Sequence, residues 1–143
     1  MKRIITLCCL MLLTMAGCGG DDDIAAVTGT VTMDGAPLAN ASVVFINPTT
    51  RPAGGSTDAQ GHYVLNFSGG IKGAPIGKNK VRISTIRDAS EDADGNRIPG
   101  SKETIPLRYN GLSELEFKVE PGKRNVADFK LTSDGPIANT STY

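Results

Sequence analysis

The chain has 143 residues, with fifteen basic and fifteen acidic side chains, 17 Gly, 8 Pro, three Cys and no Trp. That length suits one domain with a single core, and the Gly and Pro content is more than a helical protein would use. The balanced charge suggests neither nucleic acid nor an anionic surface as a binding partner.

Lys2 and Arg3 open the chain, Ile4 to Ala16 form an almost uncharged apolar run, and Ala16 and Gly17 are small. Charge, apolar run and small residues in that order predict an export signal over 1–17. As a helix the run would reach roughly 20 Å, short of the roughly 30 Å hydrocarbon core, so a permanent span is not expected. Met15-Ala16-Gly17-Cys18 resembles the lipobox of bacterial lipoproteins. There the cysteine thiol carries a diacylglyceryl group, and the amine freed by cleavage is often acylated too. The resemblance implies Cys18 as the lipidation site. Two or three acyl chains, at about 0.8 kcal/mol per buried methylene, would anchor the protein stably. Cys8 and Cys9 fall inside the leader, so residues 18–143 would keep no second thiol for a disulfide, a metal or a nucleophile.

Residues 18–25, with Gly19, Gly20 and three aspartates, read as a flexible solvated tether. Gly19 stands where some bacteria use an aspartate to retain lipoproteins at the inner membrane. The expected location is therefore the bacterial cell envelope, lipid-anchored at the outer membrane. Beyond the leader the chain carries thirteen basic and fifteen acidic side chains, a net charge of about −2.

From residue 25 onward, apolar side chains recur at every second position. Val27, Gly29, Val31 and Met33 share one face; Tyr63, Leu65 and Phe67 another; then Val81, Ile83 and Thr85; Leu115, Phe117 and Val119; Ala127, Phe129 and Leu131. Val43 to Ile46 is a continuous apolar run, consistent with a strand covered on both faces. Seven strands are predicted, at about 25–33, 41–47, 53–58, 61–67, 78–87, 113–120 and 125–132. Asp34-Gly35, Asp58 to Gly61 and Pro121-Gly122 supply turn chemistry between them. Short strands at this spacing predict an all-β antiparallel sandwich over 26–132. Asp34-Gly35 and Pro37 are expected to bring Ala41 to Ile46 beside Val27 to Met33. Asp58 to Gly61 is expected to close a hairpin. Residues 68–77 and 88–112 read as long loops, the second with a short extended piece at Thr104 to Tyr109. Residues 133–143 read as a frayed tail.

The segments "VTGTVTMDGAPLANASVVFINP", "GSTDAQGHYVLNF", "GAPIGKNKVRIS" and "LRYNGLSELEFKVEPGKRNVADFKL" together resemble the carboxypeptidase regulatory-like, transthyretin-like domain. The likeness covers roughly residues 26 to 131. It extends to small bacterial lipoproteins built from little else. It implies an immunoglobulin-like, prealbumin-type sandwich and assigns no reactive group. Gly29 is expected to admit a close backbone approach, and Tyr63 and Leu65 to enter the core.

Candidate chemistry is sparse. A transthyretin-like hydrolase of purine-derived substrates needs several histidines and a C-terminal Tyr-Arg-Gly-Ser, whereas this chain has one histidine and ends "NTSTY". No enzymatic activity is expected, and no cofactor. Asp92, Asp94, Asn96 and Glu103 echo the spacing of a calcium loop, but Arg97 stands where its glycine belongs. They form a weak calcium candidate. Tyr109 is the one aromatic platform a carbohydrate could use. A pocket joining His62, Asp58 and either Arg82 or Arg87 would favour an enzyme or a ligand site. The expected role is an interaction or structural module for an envelope protein or polysaccharide; the alternative is a carbohydrate- or small-ligand-binding module.

Overall fold

A computed structural model of the chain describes residues 23–138. The leader, Cys18 and residues 19–22 of the tether lie outside the described residues, as do residues 139–143. Eight principal strands follow one another: β1 (Val27–Met33), β2 (Ser42–Ile46), β3 (Ala53–Ser56), β4 (His62–Val64), β5 (Asn66–Ser68), β6 (Gly77–Ser84), β7 (Glu116–Val119) and β8 (Phe129–Leu131). The large sheet runs β7-β6-β2-β3-β5 and ends on the short strand Ile71–Lys72. In the small sheet β1 is central. β4 pairs antiparallel along one edge, and Asn125–Val126 and β8 pair along the other.

The two sheets form an all-β sandwich because period-two patterning places one apolar face on each. From the large sheet Val43, Phe45, Ala53, Val81, Ile83 and Val119 are fully buried. Val27, Val31, Tyr63, Ala127 and Leu131 come from the small-sheet side. Phe45 is the centre. Its ring meets Phe117 at 5.8 Å and Phe129 at 6.3 Å, the latter edge-on. Burying one such side chain contributes on the order of 2–3 kcal/mol.

All seven predicted strands are present, but their partners differ from expectation in two places. Asp34 (φ 50°) and Gly35 (φ 83°) form a tight two-residue turn with both residues in left-handed backbone. That turn returns only Ala36–Pro37 to β1, with Thr32 opposite Pro37. Leu38 N–H still donates to the Val31 carbonyl at 3.0 Å, and beyond it the chain departs. Ser42–Ile46 joins the large sheet between β6 and β3, not β1. The place beyond Ala36–Pro37 on that edge of β1 goes to β4, antiparallel to Thr28–Thr30, and the chain's last strand, Phe129–Leu131, runs parallel to Val31–Met33 along the opposite edge.

Asp58 to Gly61 does form a turn. Asp58 Oδ1 accepts from the N–H groups of Gln60 and His62, and Gly61 N–H donates to the Asp58 carbonyl at 3.0 Å. Its arms then separate, β3 into the large sheet and β4 into the small one. The predicted strand 61–67 therefore changes sheets at Leu65, and only Asn66 pairs back with β3, opposite Gly54. Gly29 is needed where β1, β4 and residue 127 converge. A Cβ there would lie 1.9 Å from the Ala127 carbonyl oxygen and 2.8 Å from the Tyr63 hydroxyl, which donates to that same carbonyl at 2.6 Å.

The 88–112 segment is more structured than a loop. Ser90–Glu91 pairs with Arg97–Ile98, Arg87 bridges Ser101, and Leu107–Tyr109 is one 3-10 turn instead of the extended piece expected. Residues 133–137 are tied down, unlike the predicted frayed tail. Asp34 accepts from Ser133 N–H, Pro136 accepts from Leu107 N–H, and Ile137 bridges Pro106.

Candidate functional site

The polar groups that do converge lie where β2 begins, β6 ends and the excursion 85–113 folds back. Glu103 is the centre, at 8% exposure. One of its oxygens accepts from Thr85 N–H (2.9 Å), Thr85 Oγ1 (2.9 Å), Thr104 N–H (3.1 Å) and Ile105 N–H (3.0 Å). The other accepts from Ser84 Oγ (2.5 Å) and Asn110 Nδ2 (2.6 Å). Burial on its own pushes this carboxyl's pKa up. The donors from Ser84, Thr85 and Ile105 outweigh that, and the net displacement is below the ordinary carboxylate value.

Asn110 extends the network outward. Its backbone N–H closes the 3-10 turn on the Leu107 carbonyl, which fixes the side chain. Nδ2 faces Glu103, so Oδ1 faces out and accepts from Arg82 Nη2 at 3.1 Å. Register puts Val44 opposite Arg82 and Ser42 opposite Ser84 on the outer face of the large sheet. With Ile86 and Asn110 these residues line a cavity of about 290 Å³.

The sequence candidates divide around this site. Glu103 belongs to it, but not as a calcium ligand. Asp92 turns its carboxylate inward on its own hairpin, accepting from Asp94 N–H, Asn96 N–H and Asn96 Nδ2. The Asn96 backbone N–H, then its side-chain amide, hold Asp92 below its ordinary pKa. The proposed quartet of Asp92, Asp94, Asn96 and Glu103 is thus split between a surface turn and a buried network. Among the described residues no three His, Cys, Asp or Glu side chains are grouped to hold a metal. The spacing that suggested calcium arises from a hairpin turn, which uses Asp and Asn for their local hydrogen bonds.

His62 Nδ1, at the start of β4, lies 4.0 Å from Asp58 Oδ2 on the preceding turn, both side chains more than half exposed. Arg82 faces the other sheet's cavity and Arg87 sits in the projecting hairpin, so the four do not share a pocket. Tyr109 packs against the core edge beneath Arg108, whose guanidinium stands 4.7 Å over the ring. Its hydroxyl meets Thr132 Oγ1 at 3.3 Å. The ring face over which Arg108 stands is not open to stack on a sugar. Cys18 lies outside the described residues.

Asn110 carried no signal in the sequence, where it falls within the segment 88–112 read as a long loop. Arg82 was a candidate for a pocket with His62 and Asp58, whereas the structure places it in a different cavity, beside Asn110.

Fold and site together define an all-β sandwich domain with a small polar cavity at one end of its large sheet. No protein-family model matches the chain, and no curated protein matches it. Among solved structures, a 9R-lipoxygenase from Cyanothece PCC8801 is similar at 19% identity and a TM-score of 0.38, covering 77% of this chain and 16% of that one. The chain thus spans about one sixth of the lipoxygenase's length, and a likeness of that size says nothing about activity.

Proposed function

We propose that this chain is a lipid-anchored protein of the bacterial cell envelope, presenting one non-enzymatic β-sandwich as an interaction module. Cys18 carries the lipid, in keeping with the lipobox resemblance of Met15 to Cys18, and the anchor lies in the outer membrane. The observation that carries the reading is how directly the chain enters the sandwich. Ile76 N–H donates to the Asp23 carbonyl at 2.8 Å, and Ile24–Ala25 pairs with Ala74–Pro75. Between Cys18 and Asp23 the backbone can extend at most about 17 Å. A lipid on Cys18 would therefore hold the sandwich close to the bilayer in a restricted orientation, as a presented module requires.

A second reading, a small-ligand-binding module of the envelope, is favoured by the cavity beside Arg82. Its carbohydrate form has less support, because Arg108 covers the Tyr109 ring.

The test is intact-mass analysis and membrane fractionation of the native protein beside a Cys18→Ala variant. The expected result is a mature chain starting at Cys18, carrying diacylglyceryl mass and sedimenting with membranes, with the lipid mass lost in the variant. An unmodified chain starting at Met1 would overturn the reading.

A further inference from the structure

We propose that the Arg82 cavity binds a carboxylate carried on a short apolar stem. The inference rests on the module reading and names what the module takes. A guanidinium offers five N–H donors in a planar fork. Arg82 directs one at Asn110 Oδ1, and among the described residues no ion pair engages the side chain. Ser84 Oγ is already used in both senses, donating to Glu103 and accepting from Ile86 N–H at 3.2 Å. The groups left facing the cavity are the remaining guanidinium N–H groups and the Ser42 hydroxyl. This set is rich in donors and carries positive charge, so it selects an anion with two acceptor oxygens.

Glu103 makes no direct ion pair with Arg82. Its oxygens are filled by six donors, and it meets Arg82 only through the Asn110 amide. That amide instead holds the guanidinium in place, so little ordering remains to be done on binding. Val44 and Ile86 form the apolar wall, and Ile86 is 46% exposed, leaving surface for a ligand to cover. A cavity of about 290 Å³ is at the small end of ligand sites, enough for a branched short-chain acid or one terminal residue of a peptide. The cavity is also open to ligands in an anchored protein. β6 begins beside the tether at Gly77, and Arg82 lies roughly 17 Å further along it, away from the point of entry.

Two sources share this chemistry: a free aliphatic acid and a peptide C-terminus. Titration of the isotope-labelled full chain, followed by NMR, separates them. The probes are 3-methylbutanoate, its amide as neutral isostere, and N-acetylglycylvaline. The acid is expected to shift Ser42, Val44, Ile86 and the Arg82 Nε resonance saturably. Arg82→Gln is expected to weaken binding about tenfold to a hundredfold, as loss of a charged hydrogen-bond pair does. Ile86→Glu, a change at an exposed position, is expected to weaken it as well and covers the case where Arg82→Gln fails to fold. Tighter binding of either the free acid or the peptide supports the proposal and identifies the source. Equal response to the amide, or no saturation by roughly 50 mM, overturns it, since even so small a ligand is expected to reach millimolar affinity. Membrane fractionation is unaffected by this outcome, and Cys18→Ala leaves the titration unchanged, so the two readings fail separately.

Discussion

Phe45 and Val44 are adjacent on β2, yet Phe45 is sealed between the sheets while Val44 lines a polar cavity. The inner face of the large sheet is fastened by apolar burial around three phenylalanine rings. Its outer end is fastened by six hydrogen bonds to one carboxylate and by the Ser113 hydroxyl on the Val81 carbonyl. Apolar contacts are non-directional and tolerate small shifts. The Glu103 network is directional and does not. The core therefore sets how stable the domain is, and the carboxylate sets where residues 85–113 lie and hence where Arg82 points.

The largest expected effect breaks the core side of this contrast. Phe45→Ala is expected to cost about 3–5 kcal/mol, from lost burial plus the cavity left between the sheets. Denaturant unfolding should show a lower midpoint across the whole domain. A loss confined to residues 85–113 would mean the core does not depend on that ring.

Glu103→Gln tests the other side. It replaces one acceptor oxygen by an amide that faces donors, for an expected cost of about 1–3 kcal/mol. Hydrogen exchange should reveal a local effect, with faster exchange at Thr85, Thr104 and Ile105 and little change at Val43 or Ile83. Acid should imitate the substitution. The folded pKa of Glu103 lies below its ordinary value of 4.5. Its contribution is thus complete above about 4.5 and is lost as pH falls through that value toward the lower folded one. Protection of residues 85–105 is expected to decline in that window. Unchanged protection down to the onset of global unfolding would show that the carboxylate does not hold the segment.

Tyr63→Phe sharpens the comparison with the smallest effect. The Tyr63 hydroxyl is a polar group at the buried side of the small sheet, donating to Ala127 beside Gly29. Its burial, and then the Asp128 charge, hold the phenol protonated well above its ordinary pKa. The expected loss is about 1 kcal/mol, read as a modest fall in thermal midpoint. A loss as large as that of Phe45→Ala would mean the inner face is also organised by polar contacts.

Much of this was legible before any coordinates. Alternation over Val27 to Met33 and Lys78 to Ser84 is local, so strand identity and the buried face followed directly from it. So did the turn residues, since Asp34, Gly35 and Gly61 take up backbone that other residues avoid. Pairing was less accessible. The continuous apolar run Val43 to Ile46 would satisfy either sheet, and the structure assigns it to a place between β6 and β3. The calcium spacing misled for a related reason: an Asp-x-Asp-x-Asn run describes a hairpin turn as well as an ion loop.

By itself the sequence determined an all-β chain with strands close to the observed bounds, and a core built from alternate residues, because period and turn chemistry depend only on neighbours along the backbone. Tertiary structure alone decided that the last strand lies parallel to the first, that Glu103 is buried under six donors and that Arg82 faces a cavity. Each of those depends on contacts between residues far apart in the chain, whose free energy no local pattern records.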